Sequence, residues 1–330
     1  MLKPLQLDES ALWKKRFQLP IMYGATISKK NPELGVVISN QSCETPHVYY
    51  FEDQKGNELG HFFRVPYEGG DPENITPNLS LYAVRGFHFS HDSSTIAINA
   101  IYEKHFHLYC IAVKQDGSLD EPRLIHRTEY ETWECMLSYD GKLMAVISTE
   151  RAKGLRHHSI LVFDTQSNER VGELWDGEQN SVMPCMFSPI PDDNRILGIT
   201  TQTSFERPLV WNPYTNERFE FTLPDMSGDV TPCDWSEDGK RVLLSNMNEA
   251  QQQLYIYNLS ENCLHVLDHP SGVYDDSNFA GNGEIMTHWQ NSITPMQVVM
   301  LHEKTGYKTR TLLASGETMP GHALRSITYN

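Results

Sequence analysis

The chain has no run of roughly 18 to 20 apolar residues, the length a membrane-spanning helix needs. Its opening stretch, MLKPLQLDESALWKKRFQLP, also lacks the unbroken apolar core of a secretion signal. The expectation is a soluble, cytoplasmic protein with no membrane partner. Basic residues are scarce: 27 Lys and Arg stand against 43 Asp and Glu, a formal net charge of −16. No Lys/Arg cluster interleaved with aromatics offsets that field, so nucleic acid is excluded as a partner. The six cysteines are scattered, and in a reducing compartment they read as free thiols. Sequons occur at Asn40, Asn74, Asn78 and Asn258, but without an export signal they predict no glycan.

Catalytic and cofactor signatures are missing as well. There is no H-E-x-x-H, no Walker-type phosphate loop, no G-x-G-x-x-G and no G-x-S-x-G, and no strand–helix alternation on which a nucleophile elbow could stand. The chain is expected to hold no catalytic residues and no cofactor of its own.

What is present is a phrase written five times. TPCDWSEDGKRVLLSN from Thr231 places a strand-like run, a hydroxyl, an Asp-Gly turn and a second run within a hairpin's length. Related copies begin at Gly86 (GFHFSHDSSTIAINA), Glu134 (ECMLSYDGKLMAVIS), Pro184 (PCMFSPIPDDNRILGIT) and Ser277 (SNFAGNGEIMTHW). Alignment puts Phe89, Leu137, Phe187, Trp235 and Phe279 in register, 44 to 50 residues apart, the spacing of propeller blades. A weaker copy starts at Tyr23.

A second pair of runs follows each copy, as in SILVFDTQSNERVGEL from Ser159, PLVWNPYTNERFEF from Pro208 and QLYIYNLSENCLHVL from Gln253. Each unit is thus four antiparallel strands with apolar residues on both faces, which a lone sheet cannot hide from water. Radial stacking buries both faces. The expected fold is an all-β β-propeller of six to seven four-stranded antiparallel blades.

In that fold the five register residues are blade anchors packed between adjacent sheets. Asp140-Gly141, Asp238-Gly239 and Asn282-Gly283 are hairpin turns supplying the positive φ of a tight connection. Domain boundaries follow: a helical segment over 1–22, the propeller over 23–313, and a C-terminal linker strand over 314–330. Blades fall near 86–125, 134–174, 184–222, 231–267 and 275–312. The first, over 23–77, is irregular, because HVYYFEDQKGNELGHFFRVPYEGGDPENIT reads as three strands and not as the second half of the Tyr23 unit. In the helical segment Asp8 or Ser10 caps a helix through about Phe17, with Leu12, Trp13 and Phe17 on one face.

Cys135, Cys185 and Cys233 each stand two residues before an anchor, a repeat that invites a metal reading. Their parity points them into different blade gaps, so they are read as small core residues. His105 and His107 share a strand face, and His157 and His158 lie in a basic loop, but neither pair has a third ligand at metal spacing. An axial metal would need polar groups such as His88 or His288 to gather at the channel mouth.

The S-x-D-G hairpins (SYDG, SEDG), the third strands LYIYNL and ILVFDT, the opening LWKKRFQLP and the segment GNELGHFFRVPYEGGDPENITP together resemble the N-terminal propeller of the prolyl oligopeptidase family of serine peptidases, which includes acylaminoacyl peptidases. The resemblance spans nearly the whole chain. The hairpin motif alone is shared with TolB-like and other propellers. The stretch from Gln41 to His47 departs from the pattern, where family members hold additional strands. The resemblance implies a non-catalytic domain that gates or positions peptides for an α/β-hydrolase domain carrying serine, aspartate and histidine. GHALRSITYN then looks like the linker into that domain, and no triad residue maps onto this chain. The alternative is a stand-alone propeller that binds a protein or peptide on its loop face. A weaker one is a metal-dependent lyase or lactonase on the propeller axis.

Overall fold

The computed structural model describes residues 26–27, 36–37, 47–66, 69–152, 154–224, 226–248 and 251–317. The expected helix over 1–22 lies outside them, as does most of the expected linker strand. Every regular element among the described residues is a β-strand. Strands β1 (Thr26–Ile27) and β2 (Val36–Val37) form a two-residue antiparallel pair. A three-stranded sheet follows from β3 (His47–Asp53), β4 (Gly60–Pro66) and β5 (Glu73–Asn74).

Five four-stranded sheets complete the order. The first comprises β6 (Ala83–Phe89), β7 (Thr95–Tyr102), β8 (His105–Ala112) and β9 (Arg123–Thr128). The second comprises β10 (Thr132–Leu137), β11 (Leu143–Ser148), β12 (Ser159–Asp164) and β13 (Arg170–Leu174). The third holds β14 (Val182–Phe187), β15 (Ile196–Thr200), β16 (Arg207–Trp211) and β17 (Arg218–Glu220). The fourth holds β18 (Asp229–Trp235), β19 (Arg241–Asn248), β20 (Gln251–Asn258) and β21 (Cys263–Val266). The last holds β22 (Val273–Phe279), β23 (Glu284–Gln290), β24 (Gln297–His302) and β25 (Lys308–Ala314).

Each four-stranded sheet is a plain antiparallel meander, as short Gly- and Asn-containing connections dictate. Its middle strands are buried at successive residues: Leu143 to Val146 of β11 and Ser159 to Phe163 of β12 are all covered. Alternate side chains leave opposite faces of a strand, so burial at both parities means that a neighbour covers each face. The apolar clusters identify the neighbours. Leu137 and Phe163 join Ala97 and Leu108 of the preceding sheet; Phe187 and Trp211 join Leu143 and Ile160; Trp235 and Tyr257 join Leu197 and Val210; Phe279 and Trp289 join Leu243 and Leu254. Phe89 packs with Phe62 and Ile75 of the three-stranded sheet. This radial stacking is a β-propeller, with first strands innermost and last strands outermost.

The stretch over 23–77, expected to be irregular, is among the described residues a three-stranded sheet plus the separate β1–β2 pair, and so departs from the four strands of the other sheets. Pairing stops at β5 because only Glu73 and Asn74 lie alongside β4 before the chain turns toward β6.

Candidate functional site

All five anchors end the first strand of their sheets and are buried, from 1% exposure for Trp235 to 8% for Phe89. Each faces the gap before its own sheet. The turns that follow share one hydrogen-bond arrangement. Ser138 Oγ donates to Asp140 Oδ1 (3.2 Å), which also accepts the Lys142 amide (3.1 Å), while the Leu143 amide donates back to Ser138 Oγ (3.0 Å). Ser236, Asp238, Lys240 and Arg241 repeat it at 2.6, 3.1 and 2.9 Å, and Ser90, Asp92, Ser94 and Thr95 at 2.7, 2.9 and 3.0 Å.

In these connections the glycine has the positive φ expected of it, within a loop longer than a two-residue turn. Ser138 and Leu143 close a loop of four residues, and only the glycine is left-handed, at φ 71° for Gly141 and 68° for Gly239. The aspartate spends its carboxylate on the turn instead of taking a positive φ. The Asn282-Gly283 turn lacks the serine, having Ala280 in its place; Gly281 and Gly283 are both left-handed, at 79° and 83°.

The opposite end of the blades carries the richer chemistry. Every first strand of the four-stranded sheets has a register shift against its second strand, between Val84 and Gly86, Trp133 and Met136, Pro184 and Met186, Pro232 and Asp234, and Asp275 and Asn278. Such bulges re-aim side chains. Glu134 and Asp276 sit in them at φ 57° and 47°, conformations that cost non-glycine residues energy. Gly86 permits the closest approach of β6 to β10, since a Cβ there would stand 2.8 Å from the Glu134 backbone. Buried Asn99 fixes the same spot, donating from Nδ2 to the carbonyls of Thr132 and Glu134, each at 3.0 Å.

At this approach Trp133 is 37% exposed, with the Arg85 guanidinium 4.9 Å from its ring centre. Its indole N–H donates to Glu131 Oε1 (3.0 Å), which lies 3.6 Å from Arg156 Nη2 in the β11–β12 connection. Glu134, beside it, reaches solvent, yet the surrounding protein raises its carboxyl above the usual glutamate range. Leu81, Leu155, Phe205 and Met247 are exposed at the same end, where first strands begin and second strands give way to third. This end of the blades thus exposes apolar and aromatic side chains on several sheets beside charged groups.

The histidines and cysteines do not form a metal centre: among the described residues no group of three His, Cys, Asp or Glu is placed to hold an ion. His88 Nδ1 accepts the Leu137 amide (3.2 Å), and burial lowers its pKa to about 4. His288 Nδ1 lies 3.3 Å from Asp276 Oδ2. His105 and His107 do share a strand face, 6.3 Å apart, but His107 stacks on Tyr102 at 3.8 Å. Burial lowers the pKa of His158 in the basic loop.

Cys135 packs in the gap before its sheet, whereas Cys233 packs in the gap after its own, opposite Trp235. Burial pushes the thiols of Cys185 and Cys233 up to about 12, leaving them unreactive. Sequence spacing missed Arg85 and Trp133 as a pair. A lone arginine before a Gly in one first strand and an aromatic at the start of the next was the available signal.

No family model matches the chain. The TolB protein of Ruthia magnifica subsp. Calyptogena magnifica is 23% identical over 144 residues, 42% of this chain and 32% of the relative. Among solved structures, TolB from Acinetobacter baumannii superposes with a TM-score of 0.53 at 12% identity, covering 80% of this chain and 62% of that one. A puromycin-hydrolysing peptidase of Mycobacterium tuberculosis gives 0.59 at 13% identity, covering 83% and 46%. The chain therefore spans less than two thirds of each protein's length. At these identities the likeness is one of fold: this chain is a β-propeller similar to TolB and to the corresponding part of a peptidase.

Proposed function

We propose that this chain is the non-catalytic propeller of a prolyl oligopeptidase-type serine peptidase, which receives unfolded peptide at its loop end and positions it for a hydrolase domain. The observation that carries the reading is that Trp133, Leu155, Phe205, Met247 and Leu81 stand exposed at one end of the blades. Apolar side chains exposed on several blades of one end favour a docking face for polypeptide over one for a small polar solute. The structural likeness to a peptidase over most of this chain supports the same direction, and the S-x-D-G hairpins agree with it.

The test uses the native protein. Immunoprecipitated from its source cells, it is treated with a fluorophosphonate, which labels activated serines covalently. A labelled polypeptide that is either the precipitated chain or a stoichiometric companion is the expected result. No label on any precipitated polypeptide overturns the hydrolase reading and favours the stand-alone binding propeller.

A further inference from the structure

We infer that Arg85 and Trp133 form a receptor for a single carboxylate flanked by an apolar group, the chemistry of a peptide's C-terminal end. Eight of the twelve described arginines lie within 4 Å of a carboxylate. Of the other four, Arg207 donates to the carbonyls of Glu206, Gly228 and Met226, Arg123 to Thr165 and Asn168, and Arg127 meets His105. Arg85 makes one hydrogen bond, from Nη1 to its neighbour Val84's carbonyl at 3.0 Å, and otherwise lies over Trp133.

In a chain with a net charge of −16, an arginine left without an acidic partner on the inner wall is unusual. Stacking on the indole orders the guanidinium fork, so less side-chain entropy remains to be lost when a ligand binds. The indole is itself held by Glu131 at 3.0 Å and still exposes more than a third of its surface. A carboxylate matches the two parallel N–H groups of the fork, and an apolar side chain beside it covers the remaining face of Trp133.

The charge around the pair sets the limit on the ligand. Glu134 adjoins Trp133 in β10, and Glu131, which accepts the indole N–H, adds a second carboxylate that Arg156 at 3.6 Å only partly offsets. Their field disfavours phosphate and polyanions, while a monoanion keeps a net gain from Arg85. This inference rests on the loop end being the docking end; it does not require that a hydrolase follows.

The experiment labels the indole nitrogens of the full chain with 15N and follows the Trp133 N–H resonance, identified by its loss in Trp133→Phe. The probes are N-acetylphenylalanine, its amide and inorganic phosphate. The acid should shift the Trp133 signal and bind at least about tenfold tighter than the amide, with phosphate weaker than the acid. Arg85→Gln should reduce acid binding to the level of the amide, and Arg85→Lys should recover only part of it. The five other tryptophan signals report that each variant is folded. Equal binding of acid and amide, undiminished acid binding by Arg85→Gln, no shift at Trp133, or phosphate binding as tight as the acid each overturns the inference. A carboxylate preference without fluorophosphonate labelling of the native protein would remove the hydrolase reading and leave this site standing.

Discussion

Asp234 accepts the main-chain N–H of Phe279 through Oδ2 at 2.8 Å, reaching from the first strand of one blade to the anchor of the next. Its other oxygen accepts the Trp235 amide at 2.9 Å. A first strand is the inner edge of its sheet, so its amides on that side have no strand to pair with and a neighbour must supply the acceptor. The carboxylate therefore ties two anchors together.

Removing that acceptor leaves a buried amide unsatisfied. Asp234→Ala should lower unfolding free energy by about 1 to 3 kcal/mol, and Asp234→Asn, which keeps one carbonyl oxygen, should recover part of it. Urea midpoints of the two variants decide the matter. An alanine variant as stable as the parent would mean that the bond contributes nothing.

His88 does the same work three blade pairs earlier, between the first two four-stranded sheets, holding the Leu137 amide through Nδ1. Only a neutral ring can accept there, with its proton on Nε2, and burial favours that form by lowering the pKa to about 4. The folded value lies below the unfolded one, near 6.5, so the unfolded chain binds more protons between them. This contribution is complete above about pH 6.5 and is lost as the pH falls toward 4. His88→Asn keeps an acceptor that does not titrate, so thermal midpoints of parent and variant should diverge on acidification, the parent falling further. Parallel curves would refute the assignment.

Trp235 is 1% exposed between Leu197 and Val210 of one sheet and Val242, Leu244 and Tyr257 of its own. Truncation to alanine opens a cavity in a gap that two stiff sheets cannot collapse to fill. The expected loss is about 3 to 5 kcal/mol by chemical denaturation. A change below about 1 kcal/mol would show that the gap is not closed around the indole.

The anchors were legible because Phe89, Leu137, Phe187, Trp235 and Phe279 recur at blade spacing, each a large apolar residue buried at the end of a first strand in the gap before its own sheet. The three strands of the first sheet were legible from their Gly-Asn and Gly-Gly turns. The bulges were not. One inserted residue breaks the period of two, which is why Cys233 faces the gap after its sheet while Trp235, two positions on, faces the gap before it. The cross-blade bonds of His88 and Asp234 and the meeting of Arg85 with Trp133 were hidden for a further reason: each depends on how two blades sit side by side, which no single strand's pattern encodes.

The turns allow one more prediction, because the same loop is built with different residues at its left-handed position. Ser93 occupies it in the first four-stranded sheet at φ 61°, where Gly141 and Gly239 stand in later ones. A side chain in that conformation costs about 1 to 2 kcal/mol, partly offset by the smaller entropy it loses on folding. Ser93→Gly should therefore stabilise the protein by about 0.5 to 1 kcal/mol. Gly141→Ala should do the reverse and more, since its Cβ would also stand 2.4 Å from Thr95 Oγ1 on the preceding blade. Thermal shifts of opposite sign are expected, the alanine variant's being the larger. Shifts of the same sign would mean that the three loops, despite their shared hydrogen bonds, are not under the same conformational demand.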